Sequence, residues 1–289
     1  MPGRRPPRTL TPGAEQRRGS HRPGSRGRSD DLGGEQVEGR QAVRELLAAG
    51  RRETFEVLLS ADAGRSPIME EIVALAAAAA VPLTRCSPEE IERSAASEVP
   101  QGVIARAAPI EATPLERLVA RSGAGAPFLV VLDGVTDPHN LGAVMRSALG
   151  AGVTGIVLPR HRAARISATV AKAAAGAVEH LPVALVSGVP SALRYLAEQG
   201  VWSVGLDSEG SRDIDDVEIL EAPVALVFGA EGAGLGPLSR DRCDVMARIP
   251  LLGPLDSLNV AAAAAVACFT VARRRERARK DAPERPDAR

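Results

Sequence analysis

Aromatic residues are scarce in this chain: one Trp, one Tyr and four Phe in 289 residues. A platform on which single-stranded bases stack needs several exposed rings, so any contact with nucleic acid has to rest mainly on charge. Cysteine is scarce too. Cys86, Cys243 and Cys268 are odd in number, far apart and never paired as C-x-x-C, which leaves neither a disulfide framework nor a structural zinc site its ligands. A reducing cytoplasm and no metal are the expectations. The longest apolar runs, around residues 72–81 and 260–272, fall short of the ~18 residues that a membrane-spanning helix needs. The first thirty residues hold twin arginines but lack the apolar stretch of a secretory signal. Neither a membrane span nor export is expected.

Net charge is absent as well, with 36 basic and 36 acidic residues. The zero conceals a segregation. Residues 1–34 carry eight arginines against three acids, and residues 272–289 carry eight basic residues against four acids. Tails of about +5 and +4 therefore flank a body of about −9, and affinity for a polyanion has to come from the tails or from local patches. The Pro, Gly, Arg and Ser of residues 1–34 bury too little apolar surface to offset ordering entropy, so this segment is predicted to be a disordered basic tail. It is either a solubiliser or a sequence-blind phosphate-binding arm.

A globular pattern begins at Val37. Helical spacing over Gln41–Ala49 puts Ala42, Val43, Leu46 and Leu47 on one face, with Gly50 as a stop. Strand, helix and strand follow at Phe55–Leu59, Ser66–Ala80 and Val81–Thr84. Ser87-Pro88-Glu89-Glu90 reads as a helix start, and Gln101–Ala105 as a closing strand. Residues 35–107 are thus a small α/β domain, and residues 108–126 a linker that includes Ser122-Gly123-Ala124-Gly125. From residue 127 to 272, short apolar runs at Phe128–Leu132, Gly155–Leu158, Pro182–Val186, Val201–Leu206 and Val224–Phe228 alternate with Ala-rich helical segments. Continuous apolar runs mark strands buried on both faces, as in a parallel sheet covered by helices. Ligands in such sheets sit beyond the carboxyl ends of the strands. The loops after Leu132, Leu206, Phe228 and Ile249 are therefore the ones to inspect, and residues 273–289 are left as a basic C-terminal tail.

Three of these loops carry chemistry. Asp133–Gly142 contains Asn140 and leads into a helix that presents Arg146. Phe228-Gly229-Ala230-Glu231-Gly232-Ala233-Gly234 follows a buried strand. Ile249-Pro250-Leu251-Leu252-Gly253-Pro254-Leu255-Asp256-Ser257-Leu258-Asn259-Val260 runs into an Ala-rich helix. The glycine loop is not G-x-G-x-x-G, follows a late strand and encloses an acid, which argues against a nicotinamide dinucleotide site. His139 and His180 have no nucleophile constellation beside them.

Together and in this order, the three segments resemble the SpoU-type, TrmH-like RNA 2′-O-ribose methyltransferases of the SPOUT superfamily. Their carriers are Asn140 with Arg146, Gly229-Ala230-Glu231-Gly232-Ala233-Gly234, and Ile249-Pro250 with Ser257-Leu258-Asn259-Val260. Val37-Glu38-Gly39-Arg40 and Gln101-Gly102-Val103 extend the resemblance over the small domain. Pro100 stands where a His often precedes Gln-Gly-Val, and Ala261 where a Ser is common. The resemblance implies an α/β fold: a C-terminal parallel-sheet SPOUT domain with a deep trefoil knot, behind a small N-terminal α/β domain that grips RNA. It implies S-adenosylmethionine as cofactor and a homodimer with composite active sites. The branch it points to methylates a guanosine of 23S rRNA, with tRNA as the alternative substrate and a non-catalytic ribosome-assembly protein as the rival class.

On this reading Asn140, Arg146, Glu231, Ser257 and Asn259 form the catalytic set. Leu206, Phe228, Gly229, Glu231, Gly232, Ile249, Leu251, Leu258 and Asn259 surround the cofactor. Arg40, Arg160, Arg162 and Arg165, with His161 and Lys172 nearby, meet RNA. A ribose hydroxyl is a poor nucleophile, so in-line methyl transfer needs it positioned and its developing charge stabilised. Arg146, a fixed cation with a fork of donors, suits both tasks but is too weak an acid to serve as the base. Asn140 and Glu231 are expected to orient Arg146 or the ribose. Asn140 and Ser257 also fit helix N-caps, whereas Asn259, placed one residue into its helix, has less structural reason to be there. A helix from Ser257 to about Val271, apolar almost all round, is expected to pack on a partner chain through Ala264 and Ala267.

Overall fold

In this computed structural model residues 31–281 are described, except 63, 65 and 121–125; the tail at 1–30, the Ser122–Gly125 stretch and residues 282–289 lie outside the described residues. Four strands form the small domain: β1 (Gln36–Glu38), β2 (Thr54–Ser60), β3 (Leu83–Cys86) and β4 (Val103–Ala107), ordered β1-β4-β2-β3. Only the β2–β3 pair is parallel. Helix α1 (Arg40–Ala49) buries Ala42, Val43, Leu46 and Leu47 as its spacing dictates and stops at Gly50, whose left-handed backbone a glycine adopts without strain. Helices α2 (Pro67–Ala78) and α3 (Pro88–Ser94) both begin with Pro, and Ser87 and Glu90 form a reciprocal capping box on α3. Glu38 is fully buried, and its carboxylate accepts from Gln36 Nε2 and from the amides of Ala96 and Ser97, which fixes the turn after α3.

The large domain is built on seven strands: β5 (Phe128–Asp133), β6 (Gly155–Pro159), β7 (Val183–Val186), β8 (Trp202–Leu206), β9 (Arg212–Asp213), β10 (Val224–Gly229) and β11 (Val245–Arg248). All pairings are parallel, in the order β7-β6-β5-β10-β8-β11-β9. Strands β5, β6 and β10 are buried along nearly their whole length, as continuous apolar runs require. Helices α5 (Pro138–Gly150), α6 (Ala168–Ala173) and α9 (Val260–Asp281) cover one face; α4 (Leu115–Ala120) and α7 (Val189–Glu198) cover the other, and α8 (Pro237–Arg240) is a single turn. Gly142 lets α5 and α6 touch, because a Cβ there would lie 2.5 Å from that of Ala173.

Several boundaries differ from the sequence reading. Residues 31–34, placed in the tail by composition, are stitched in: Leu32 is buried and exchanges backbone hydrogen bonds with Ile110 and Ile166. The linker contains α4, whose Leu118 is fully buried under the sheet. Helix α9 begins at Val260, not Ser257, and runs past residue 272 to Asp281. Arg275 explains that extension. Its guanidinium donates to the carbonyls of Leu220, Ala126, Pro127 and Ala222 and lies 5.0 Å from the centre of the Phe128 ring, so a residue assigned to a charged tail pins the helix to the amino edge of the sheet.

The two domains are locked by charge. Arg52 donates twice to Glu179, at 3.0 and 2.6 Å, with side chains only 8% and 2% exposed, and reaches the carbonyls of Gly34 and Ala108 as well. Glu45 meets His180 at 2.8 Å; burial alone would raise its carboxyl, but His180 and Arg44 outweigh burial and hold it below the ordinary value.

Candidate active site at the carboxyl edge of the large sheet

The loops after β8, β10 and β11 leave the same edge of the sheet and enclose a cavity of about 570 Å³. Leu206, Phe228, Ile249, Leu251 and Leu258 supply apolar lining; Gly229, Gly232 and Gly234 supply stretches of bare backbone. Asp207, Glu209, Glu231 and Asp256 line it as well, against a single Arg240 that is bound to Asp207 at 2.7 Å. Such a cavity suits a ligand with a flat apolar end and a positive charge, which is the chemistry of a sulfonium compound bearing an adenine ring. All nine residues expected around the cofactor line this one cavity, as does Ser257. Sequence reasoning missed Asp207, Asp256 and Arg240. Asp207 was findable as the residue directly after the strand-end Leu206.

Close approach shapes the glycine loop. Ala230 and Gly234 exchange two backbone hydrogen bonds, 3.1 and 2.9 Å, and fold the loop back on β10. A Cβ on Gly229 would fall 2.0 Å from the carbonyl carbon of Gly234, so no larger residue fits there. Asn259 ties this loop to two helices. Its Oδ1 accepts from the amides of Ala261 and Ala262, at 2.9 and 3.3 Å, and so caps α9. Its Nδ2 donates to Asn140 Oδ1 at 3.0 Å and to a carboxylate oxygen of Glu231. One amide therefore joins the start of α9, the first turn of α5 and the glycine loop.

This geometry corrects several expectations. Asn259, not Ser257, is the N-cap of α9, and Ser257 is exposed in the preceding loop. Asn140 is not a cap either: Asp137 caps α5 by accepting from the His139 amide at 2.8 Å, which leaves Asn140 buried and free to face Asn259. Within one chain Asn140 and Glu231 are thus joined through Asn259 rather than turned toward Arg146. Six residues on, Arg146 is about 240° around the helix from Asn140; it is exposed and does not line the cavity of its own chain.

The basic residues are dispersed. The Arg40 amide and Nε donate to Gln101 Oε1 and carbonyl, at 3.0 and 3.2 Å, clasping the two short motifs of the small domain. Arg160 borders a separate groove with Ser187, Ser191 and Tyr195. His161 and Arg162 are exposed, Arg165 donates to the Asp31 carbonyl at 2.6 Å, and Lys172 reaches across the domain junction to the carbonyl of Val99 at 2.5 Å. Lys172 and Arg165 are thus engaged as braces. Burial pushes the Cys268 thiol up to about 12, and burial together with Asp244 and Asp133 does the same to Cys243, so neither supplies a thiolate. Among the described residues no cluster of His, Cys, Asp and Glu could hold a metal ion, and no helix is long and apolar enough to cross a membrane.

Residues 127–269 match the model of the SpoU rRNA Methylase family, and residues 36–113 that of RNA 2′-O ribose methyltransferase substrate binding. The 23S rRNA (guanosine-2′-O-)-methyltransferase RlmB of Pseudomonas aeruginosa is 38% identical over 244 residues, which is 83% of this chain and 97% of that protein. The chain belongs to the SpoU rRNA methylase family. It is a methyltransferase. The RlmB of Ralstonia nicotianae is also 38% identical, over 82% of this chain and 94% of that one. Among solved structures, the AdoMet-bound rRNA methyltransferase of Sinorhizobium meliloti superposes with a TM-score of 0.68 at 28% identity, covering 83% of this chain and 87% of that one. The SpoU methyltransferase AviRb of Streptomyces viridochromogenes, at 24% identity and a TM-score of 0.69 over 84% of this chain and 90% of that one, shares the fold.

Proposed function

We propose that this enzyme transfers a methyl group to the ribose 2′-hydroxyl of a guanosine in 23S rRNA. The observation that carries the reading is the hydrogen-bonded trio Asn140–Asn259–Glu231, of which Asn259 and Glu231 line an acid-bearing cavity walled in part by glycine backbone and Asn140 backs them from α5. S-adenosylmethionine is the methyl donor and supplies a methyl group activated on a sulfonium cation. Leu206, Phe228, Ile249, Leu251 and Leu258 hold its apolar end, and the backbone of Gly229 and Gly232 makes the close wall. The surplus of carboxylates favours its positive charge. Asn259, with all its polar side-chain atoms engaged, holds Glu231 at the cavity and is itself held by Asn140, and such rigid donors and acceptors orient a ribose. Arg146 grips a phosphate beside the reacting ribose and stabilises the negative charge that develops on the 2′-oxygen as the O–CH3 bond forms, the S–CH3 bond breaks to leave S-adenosylhomocysteine, and the hydroxyl proton passes to solvent.

The enzyme works as a homodimer in the cytoplasm. The support for a dimer is Arg146 itself, which is outside its own chain's cavity while an apolar stripe runs beside it: Leu149, Val266 and Phe269 are 37%, 40% and 41% exposed. Leu252 and Leu255 are exposed too, in the loop before α9. A second copy covering the stripe brings Arg146 to the partner's cavity. Ala264 and Ala267, the positions expected to face a partner, are fully buried against the chain's own core instead. The trefoil knot belongs to the same reading, supported by a sheet in which β10 enters between β5 and β8 and β11 adds on the far side of β8.

Methyl transfer to a 23S rRNA fragment tests the assignment. Arg146→Ala should lose more than about 100-fold in turnover, the scale of removing one transition-state donor, while its melting temperature and its affinity for S-adenosylhomocysteine stay unchanged. Turnover at the wild-type rate would refute it.

A further inference from the structure

The terminal half of α9 carries a basic groove far from the cavity. Arg273, Arg274 and Arg277, with Thr270 and Asp215, surround a hollow of about 310 Å³. It sits at the amino edge of the sheet, where Arg275 fastens the helix to the carbonyls of Ala126, Pro127 and Ala222, so its walls are held by a rigid element. Arg274 is tied to the Val217 carbonyl at 2.9 Å, and Lys280 is neutralised by Glu276 at 2.8 Å. Arg273 and Arg277 are different. Both are exposed, and neither has a carboxylate within ion-pair distance among the described residues. They stand four residues apart on one helix face, where like charges destabilise a helix. An anion seated between them relieves that repulsion. Asp215 offsets one of the three guanidinium charges, which leaves the hollow positive on a body of about −9.

We infer that this groove is a second RNA contact, a seat for a phosphodiester of the substrate's backbone away from the methylated nucleotide. The inference rests on the RNA-methylation reading above. Guanidinium forks match phosphate geometry and read no sequence, which suits a contact that positions a structured RNA without selecting its bases. Reach sets the substrate. At ~1.5 Å of rise per residue, Arg273 and Arg277 lie about 21 and 27 Å along α9 from Asn259. That span is on the order of eight base-pair steps at roughly 3 Å each, so the groove is engaged by a long helical rRNA segment and missed by a short stem.

The test uses the full chain, a 23S rRNA fragment with a long helix beside the methylated guanosine, and the variants Arg273→Gln/Arg277→Gln and Arg273→Lys/Arg277→Lys. Binding is measured against salt concentration, methyl transfer is measured on the same RNA, and binding of S-adenosylhomocysteine reports the fold. The glutamine pair should flatten the slope of log K against log salt by about one to two, since each phosphate contact contributes roughly 0.9, and should weaken binding about tenfold or more at low salt. The lysine pair should keep most of the slope, because charge is conserved. A slope unchanged in the glutamine pair, while the wild type methylates the RNA, overturns the groove alone. The groove is also overturned if pyrophosphate raises the melting temperature of the wild type and not of the glutamine pair while the RNA slope is unmoved, for it would then be a small-anion site. A wild type that neither binds nor methylates the RNA overturns the reading on which the inference rests.

Discussion

Gly229→Ala gives the sharpest structural perturbation of the proposed cofactor cavity. A Cβ at this position would lie 2.0 Å from the carbonyl carbon of Gly234, 2.1 Å from its oxygen and 2.3 Å from the Leu235 nitrogen. Ordinary contact begins near 3.4 Å, so the loop has to open by about 1.4 Å. The atoms in the way are backbone, with no rotamer to change. Opening by that amount breaks both hydrogen bonds between Ala230 and Gly234, now 3.1 and 2.9 Å. At ~0.5–1.5 kcal/mol each, their loss costs about 1–3 kcal/mol. Because residues 229–234 are the cavity wall, the cost falls on cofactor binding, and at roughly tenfold per 1.4 kcal/mol it weakens affinity about 5- to 150-fold. Gly232→Ala is the comparison. Gly232 has φ +75° but nothing within 4 Å of an added Cβ, so only backbone strain of about 1 kcal/mol applies. Calorimetric titration with S-adenosylhomocysteine should rank wild type, Gly232→Ala and Gly229→Ala in falling affinity. If Gly229→Ala binds within twofold of wild type, the glycine loop is not the wall against which the cofactor packs.

Three other substitutions probe separate parts of the molecule. Asn259→Asp keeps an equally good N-cap but sets a carboxylate against Glu231, so turnover should fall about 100-fold with little change in thermal melting; a large loss of stability would mean that the side chain is mainly structural. Arg52→Ala leaves Glu179 buried without its partner and should cost about 3–5 kcal/mol in urea unfolding, whereas a loss below about 1 kcal/mol, the scale of an exposed pair, would show that the domains are not locked there. Phe269→Glu should yield a folded monomer by light scattering, and Ala264→Glu, at a position fully buried in its own chain, should fail to fold; a folded, dimeric Phe269→Glu would remove the stripe from the interface.

The strands were legible because their burial is local: runs such as Phe128–Leu132 and Val224–Phe228 are apolar at every position, rich in Val and Phe, and too short for a buried helix. Strand β11 was harder. Val245–Arg248 holds two half-buried residues and an exposed arginine, so only the loop after Ile249 announced it. The ends of α9 were illegible for two reasons. Its start is set by Asn259, whose amide caps the helix and binds two other segments at once, and a residue with two tasks looks like a weak helix former in sequence. Its end depends on Arg275, whose carbonyl partners lie about 50 to 150 residues earlier in the chain. The cavity residues were legible from motif order through the family resemblance. What neither pattern nor motif conveyed was direction: Arg146 shares a helix with Asn140, yet the two point to different sides.

Position-specific detection of 2′-O-methylation decides whether this enzyme modifies a ribose of 23S rRNA. Unmethylated 23S rRNA is incubated with the purified enzyme and S-adenosylmethionine, digested to nucleosides and mapped by mass spectrometry and primer extension. The wild type should make one 2′-O-methylguanosine at a single position, and Arg146→Ala none. Methyl groups on a base, on another nucleoside, or on no rRNA at all would contradict the assignment.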